Sequence, residues 1–253
     1  MKNNACIVKN GCLLFDGFTL VKDSLDCVPP GSHAVINTVS PNSYGLACKD
    51  PEMMAALKGS DYLVLDGVYF GWWPLFLYGE KARRITGWDC LMYYLPVLER
   101  KGGKLFLLGS TTETLEKMRR RIREEYPSVL VETYSPPFKP VFSEEDNARM
   151  RDAVNAFAPD VLAVGMTAPK QEKWTFQQMP RLNAGISIAI GNVFDWYAGN
   201  TKRPSVFWQK MGLEWLIRIF YRPEIFKRNI ANQMRFFKDL FLRLIRIKKE
   251  NHD

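Results

Sequence analysis

Apolar and polar positions form alternating blocks along this chain. Runs of four to six apolar residues are typical of buried strands, and longer segments with apolar residues every three or four positions are typical of helices. Their regular alternation predicts an α/β fold with a mostly parallel sheet. The predicted strands are Ala34–Val39, Tyr62–Leu65, Leu105–Leu108, Val129–Glu132, Val161–Met166 and Ile186–Ile190. The predicted helices are Pro51–Lys58, Asp89–Arg100, Thr112–Glu125, Ser143–Phe157 and Lys170–Gln178.

The last two predicted strands end in small and polar residues. Val161–Met166 is followed by Thr167-Ala168-Pro169, and Ile186–Ile190 is followed by Gly191-Asn192. Because the carboxyl ends of parallel strands meet at one edge of a sheet, these ends predict a ligand crevice there. A helix that begins at Pro169 presents free backbone N–H groups, which suit a phosphate.

The positive charge is concentrated at one end of the chain. Residues 202–253 hold 13 Lys and Arg against 5 Asp and Glu, which accounts for the whole net charge of +8. We therefore predict an α/β core over residues 1–200 and a basic helical appendage over residues 201–253. Apolar side chains alternate with basic ones there, as expected of a helix on an anionic membrane surface, although a core-packed helix is the alternative. The apolar side chains with helical spacing are Phe236, Phe237, Leu240, Phe241, Leu244 and Ile245.

Composition limits the kinds of site and the cellular locations that are expected of this chain. The five cysteines are scattered without a Cys-x-x-Cys pair, which argues against a zinc site and for a reducing compartment. With only His33 and His252, a histidine-based triad is not expected. The first residues lack a signal-peptide pattern, and no apolar run is long enough to cross a membrane. The sequence thus predicts a cytoplasmic protein.

A set of short motifs follows the predicted strands in a fixed order. These are Asp66-Gly67, Arg84-Ile85-Thr86-Gly87-Trp88-Asp89, Leu108-Gly109-Ser110, Ala168-Pro169-Lys170-Gln171-Glu172, Phe194-Asp195, Ala198-Gly199, Lys202-Arg203-Pro204, and Gly212-Leu213-Glu214-Trp215-Leu216 with Arg218. In this combination and order, over roughly residues 37–228, the chain resembles the WecG/TagA/CpsF family of bacterial glycosyltransferases. The resemblance implies a Rossmann-like core and an inverting transfer from a UDP-sugar (of the UDP-ManNAc, UDP-ManNAcA or UDP-glucose class) to a polyprenyl-diphosphate-linked acceptor sugar. It also implies peripheral attachment to the inner face of the membrane and a role in surface polysaccharide synthesis.

The resemblance also assigns roles to particular residues. Asp66, at the end of a strand and before Gly67, is implied as the catalytic base, against the alternative of an ordinary turn aspartate. Asp195 is the rival carboxylate to Asp66, and a structural or donor-orienting role is favoured for it over that of the base. The other implied substrate-binding residues are Arg84 for the diphosphate, Gln171 for donor hydroxyls, and Arg218 and Arg228 from the appendage.

The chain departs from the family pattern at two places. The family has Thr, any residue, then Asn at a substrate-binding position. This chain has Thr38 and Ser40 there, so Thr38 is a candidate substrate-binding residue and either Ser40 or the nearby Asn42 takes the asparagine's place. A family arginine is replaced by Ile225, for which Arg222 is the candidate substitute.

The sequence predicts neither a cofactor nor a metal site. No Asp-x-Asp triplet is present to hold a cation against the leaving diphosphate, so we expect arginines to stabilise it. Two other classes of protein are possible for a basic α/β chain. A basic nucleotide or nucleic-acid binder is disfavoured because the charge is confined to an aromatic-rich tail, and a Rossmann oxidoreductase because no G-x-G-x-x-G follows the first strand. Nucleic acid is thus not an expected partner, and homo-oligomer formation is left open.

Overall fold

The computed structural model describes the backbone of residues 6–202 and 223–250, and the side chains of residues 6–202 and 229–246. The strands are β1 (Ile7–Lys9), β2 (Cys12–Phe15), β3 (Phe18–Val21), β4 (Ala34–Val39), β5 (Tyr62–Leu65), β6 (Lys104–Gly109), β7 (Leu130–Tyr134), β8 (Val161–Gly165) and β9 (Ile186–Ala189).

The helices lie between and after these strands. Three match their predicted bounds: α2 (Pro51–Lys58), α5 (Thr112–Glu125) and α7 (Lys170–Gln178). The others are α1 (Pro41–Ala47), α3 (Trp72–Tyr78), α4 (Gly87–Lys101), α6 (Glu144–Phe157), α8 (Val193–Tyr197) and a long C-terminal helix, α9 (Pro223–Glu250).

The described strands form a single sheet in the order β1-β2-β3-β5-β4-β9-β8-β6-β7. From β3 to β7 every pairing is parallel, whereas β1, β2 and β3 pair antiparallel. The predicted α/β class with a mostly parallel sheet is therefore confirmed. The antiparallel strands were not predicted. They are joined by two-residue turns, Asn10-Gly11 and Asp16-Gly17, in which all four residues have positive φ, as a type I′ hairpin requires.

Helices cover both faces of the sheet. On one face α4, α5 and α8 pack over inward-pointing residues such as Ile36, Val64 and Ile188. On the other face α6 and α7 pack over the β6 and β8 side, while α1, α2 and α3 pack over β4 and β5.

Helix α9 lies on this second face and belongs to the core. Phe236 is fully buried, with its ring centroid 5.7 Å from that of Tyr44 in α1 and 5.4 Å from that of Phe70. Leu240 is also buried in the same cluster. For Phe236 and Leu240 the alternative of a core-packed helix therefore holds, because the helix carries apolar residues on two sides and these two lie on the side that meets α1.

Polar contacts fix α9 in this position. The Tyr44 hydroxyl donates to Asp239 Oδ2 at 2.5 Å, and Arg243 Nη1 donates to Asp16 Oδ1 at 3.1 Å. The helices come so close that a Cβ on Gly45 would lie 2.0 Å from the backbone oxygen of Asn232. No helix in the described part of the chain is both long and apolar enough to cross a membrane.

The two sides of α9 make a matched test. We expect Phe236→Ala to lower the free energy of unfolding by about 3–5 kcal/mol, the usual cost of truncating a buried Phe. Phe241→Ala, at a position that is 62% exposed on the same helix, should change it by no more than about 0.5 kcal/mol. Urea denaturation followed by circular dichroism measures both, and equal effects would contradict the docking of α9.

Candidate active site

Five adjacent parallel strands end at one edge of the sheet. In spatial order they are β5, β4, β9, β8 and β6. The residues that follow them are Asp66, Ser40, Ile190, Met166 and Ser110. The ends of β8 and β9 are the two from which the sequence predicted a crevice. The ends of β4, β5 and β6 lie at the same edge.

The ends of β4 and β5 are held tightly together. The Asp66 backbone N–H donates to the Val39 carbonyl at 3.1 Å. A Cβ on Gly67 would lie 3.0 Å from the Cβ of Ser40, so only glycine permits this approach without displacing its neighbour. Thr38 pairs with Val64, two residues before Asp66. Thr38, Ser40 and Asp66, each half-buried, are thus gathered at one corner of the edge.

Arg84 joins this corner. Its Nε donates to the Asp66 carbonyl oxygen at 2.9 Å, and its backbone forms a bridge with Leu65. Burial raises the pKa of the Cys90 thiol in α4, and the negative charges of Asp89 and Asp66 add to that shift. The structure therefore brings the predicted base and the predicted diphosphate-binding arginine together.

Ser40 and Asn42 have separate surroundings. Ser40 caps α1: its Oγ accepts from the Ser43 backbone N–H at 3.3 Å, and its own N–H donates to Ser43 Oγ at 2.8 Å. The Asn42 side chain turns toward α9, where its Oδ1 accepts from Asn232 Nδ2 at 3.2 Å. Of the two candidates for the family asparagine, Ser40 is therefore the one that lies directly at the end of β4.

Gln171 lies in the first turn of α7 and is buried. Its Oε1 accepts from the Met166 backbone N–H at 3.3 Å, and its Nε2 donates to Glu172 Oε1 at 2.9 Å. Gly191 lies against the same amide, since a Cβ there would be 3.6 Å from Gln171 Oε1. The amide therefore links the ends of β8 and β9, and both of its ends are engaged with the protein.

Asp195 lies in α8, beyond the end of β9. Its Oδ1 accepts from Asn200 Nδ2 at 3.2 Å, and the same Nδ2 donates to Thr114 Oγ1 at 2.8 Å. The carboxylate thus holds the turn after α8 against α5. This contact agrees with a structural role and leaves the donor-orienting role a prediction.

The predicted contributions of the appendage arginines remain predictions. Arg218 and Arg222 lie outside the described residues, and although Arg228 and Ile225 lie in α9, their side chains are outside the described part. Within the described residues, no three His, Cys, Asp or Glu side chains are grouped as they would be to hold a metal ion. Metal independence of the reaction stays a prediction.

Sequence reasoning missed the contact made by Asn232 and did not assign a site role to Glu172. Asn232 reaches Asn42 from α9, and no local motif signals such a long-range pair. Glu172 is 1% exposed; its motif was recognised in the sequence, but its burial follows from the packing of α7 on β4, β8 and β9.

Comparison with known proteins shows the family of this chain. A family model described as "Glycosyl transferase WecG/TagA/CpsF family" matches residues 15–250. The chain is similar to the N-acetylglucosaminyldiphosphoundecaprenol N-acetyl-beta-D-mannosaminyltransferase of Bacillus subtilis (strain 168), with 27% identity over 78% of this chain and 75% of the relative. The protein of the same name from Staphylococcus aureus (strain NCTC 8325 / PS 47) is 25% identical over 72% of this chain and 70% of the relative. The chain therefore belongs to the WecG/TagA/CpsF family and is a glycosyltransferase.

Proposed function

We propose that this enzyme transfers a sugar, with inversion, from a UDP-sugar to a polyprenyl-diphosphate-linked acceptor sugar during synthesis of a surface polysaccharide. The observation that carries the proposal is the corner where Asp66, Ser40 and Arg84 meet at the carboxyl edge of the sheet. The relatives are named for transfer of N-acetylmannosamine to N-acetylglucosaminyldiphosphoundecaprenol, so UDP-ManNAc is the first donor to test.

Asp66 is the catalytic base in this proposal. An inverting transfer is a single displacement, in which the acceptor hydroxyl attacks the anomeric carbon from the face opposite UDP. A carboxylate at the attacked face takes the hydroxyl proton as the new glycosidic bond forms. Asp66 is half-buried at a strand end, so part of the residue is exposed at the edge where we propose that the ligand binds.

The departing UDP gains negative charge, which cations must stabilise. Arg84 is the described candidate because its guanidinium is fixed at the Asp66 carbonyl through Nε. Arg218 and Arg228 complete the set in our proposal, closing over the crevice from the appendage. Guanidinium groups suit this role because they bind two phosphate oxygens at once.

The outer side of α9 supports attachment to the inner face of the membrane. Met234 and Phe241 are 60% and 62% exposed. Ile230, four positions before Met234, and Ile245, four positions after Phe241, are exposed on the same side of the helix. Exposed Lys238 and Arg246 lie on the same helix. An apolar stripe beside basic residues suits an anionic lipid surface.

The first prediction concerns the base. Asp66→Asn should lower kcat at least about 100-fold, because the acceptor proton loses its base, and should leave UDP affinity nearly unchanged. Turnover is measured by UDP release from UDP-ManNAc with a synthetic polyprenyl-diphosphate-GlcNAc acceptor, and affinity by calorimetry. Asp152→Asn, at an exposed position of α6, is the control. Near-normal turnover of Asp66→Asn would rule out its role as base.

The second prediction concerns the leaving group. Arg84→Ala should lower kcat by roughly 10²–10³, as loss of a preorganised transition-state contact does, and more than it weakens donor binding. Arg83→Ala, at the exposed neighbouring position, should have little effect. Arg218→Ala and Arg228→Ala should also lower kcat. Activity should survive EDTA; complete inhibition that manganese or magnesium reverses would contradict stabilisation by arginines.

The third prediction concerns the membrane. Replacing Phe241 and Ile245 together by Gln should reduce binding to phosphatidylglycerol vesicles at least about tenfold, since each side chain loses roughly 1.5–3 kcal/mol of burial in lipid. The control replaces Ile7 and Leu130, which are exposed on the outer strands β1 and β7, by Gln. Flotation measures the bound fraction. Unchanged binding, or displacement of the wild-type protein from vesicles by RNA, would contradict the proposed surface.

A further inference from the structure

Glu172 is an acidic side chain buried beside the carboxyl edge of the sheet. It is 1% exposed, in the first turn of α7. Its Oε1 accepts from Gln171 Nε2, while its Oε2 is buried and has no hydrogen-bond partner within the described residues. An ionised carboxylate in such a position is costly, because one hydrogen bond does not replace its hydration.

The sheet beneath α7 holds two more unsatisfied polar groups. Asn37 Oδ1 on β4 and Ser187 Oγ on β9 are fully buried and have no partner in the described part of the chain. Both strands pack against α7. A protonated carboxyl group has an O–H that a carboxylate lacks, so a proton on Glu172 adds a donor to a region where an acceptor is unsatisfied.

Glu172 also holds one end of the Gln171 amide. With Glu172 Oε1 accepting from Nε2, Gln171 Oε1 is directed to the Met166 N–H at the end of β8. Reversing the amide would set its NH₂ against the Met166 N–H, where two donors would face each other. A protonated Glu172 meets the reversed oxygen only if its O–H lies on Oε1, so the Met166 N–H decides the orientation and Glu172 holds the NH₂ end of the amide in it.

We propose that Glu172 is a positioning residue whose carboxylic acid group fixes the side-chain amide of Gln171, and through it the donor end of the crevice. This inference rests on the proposed function, in which the donor binds at this edge. Glu172 acts through Gln171 and has no contact with the donor.

Burial raises the pKa of Glu172 above the ordinary value of 4.5, against the opposing effect of the Gln171 hydrogen bond and a backbone hydrogen bond. The strands under α7 (β4, β8 and β9) contain no titratable residue. Lys173 of α7 is paired with Asp50 and Glu52 at the start of α2. Charged groups on the elements around Glu172 also include Lys58, Lys170 and Arg181, and Arg151 of α6, whose Nη1 donates to Gln178 Oε1 of α7.

The protonation state has a consequence for stability that does not depend on catalysis. As pH rises above about 4.5, the unfolded chain releases the Glu172 proton before the folded chain does, so the wild-type protein loses stability until pH passes the folded pKa. The side chain of Glu172→Gln is neutral at every pH and can donate and accept hydrogen bonds, so this variant does not lose stability as the pH rises. Its melting temperature should equal that of the wild type at pH 4 and exceed it by about 2–4 °C at pH 8.

The positioning role is tested by kinetics. Glu172→Ala and Glu172→Asp should each raise the donor KM by about tenfold, the equivalent of one lost hydrogen-bonded contact, with a smaller effect on kcat. Glu172→Gln should stay within about twofold of the wild type. In a Gln171→Ala background, Glu172→Ala should raise the donor KM no further, since the residue through which it acts is gone. Glu145→Gln, at an exposed position of α6, is the control.

The outcomes separate this inference from the proposed function. A melting-temperature difference between Glu172→Gln and the wild type that does not grow with pH would overturn the protonated state. Additive effects of Gln171→Ala and Glu172→Ala on the donor KM would overturn the positioning role. Glu172→Asp keeps the carboxyl group but shortens the side chain. If Glu172→Ala does not fold, Glu172→Asp tests the positioning role in its place. Failure of the wild-type protein to bind or turn over any UDP-sugar would contradict the proposed function, while the melting comparison would still decide the state of Glu172.

Discussion

The site depends on the close approach of β4 and β5 at their carboxyl ends. The hydrogen bond from the Asp66 N–H to the Val39 carbonyl and the absence of a side chain at Gly67 bring the proposed base beside Ser40. Arg84 is then held at the Asp66 carbonyl. Because these links are mainly between backbone groups, the corner is built by the sheet itself. A ligand-binding edge of this kind is preorganised, which is what stabilising a developing charge requires.

Helix α9 connects this corner to the outer surface. Its inner side packs on Tyr44 and Phe70. Tyr44 lies four positions after Ser40, and Phe70 lies four positions after Asp66. Its outer side carries the exposed stripe that we propose for lipid contact. The boundary at residues 200 and 201 stays a prediction, but removing the whole tail would also uncover part of the core. For this reason substitutions on the outer side separate membrane contact from folding better than truncation does.

Sequence patterns predicted most of the parallel core, because buried strands such as β4 and β5 are continuous apolar runs with clear ends. They located β7 at 129–132, whereas it spans Leu130–Tyr134; its exposed edge position blurs the apolar pattern. The hairpins at the N-terminus were missed although Asn10-Gly11 and Asp16-Gly17 signalled them. Periodicity found α9 but not which of its two apolar sides faces the core. The motifs gave the corner residues, whereas the buried Glu172 and the reach of Asn232 to Asn42 depend on tertiary packing that one sequence does not encode locally.

The location of the donor is the central claim, and hydrogen–deuterium exchange with and without UDP tests it most directly. We predict that saturating UDP slows exchange of backbone amides after β4, β5, β8 and β9, around Ser40, Asp66, Met166 and Gly191, because these ends meet at one edge. Amides at the opposite ends of the same strands should exchange at unchanged rates. Protection confined to the amino ends of the strands, or to α9 alone, would contradict the account.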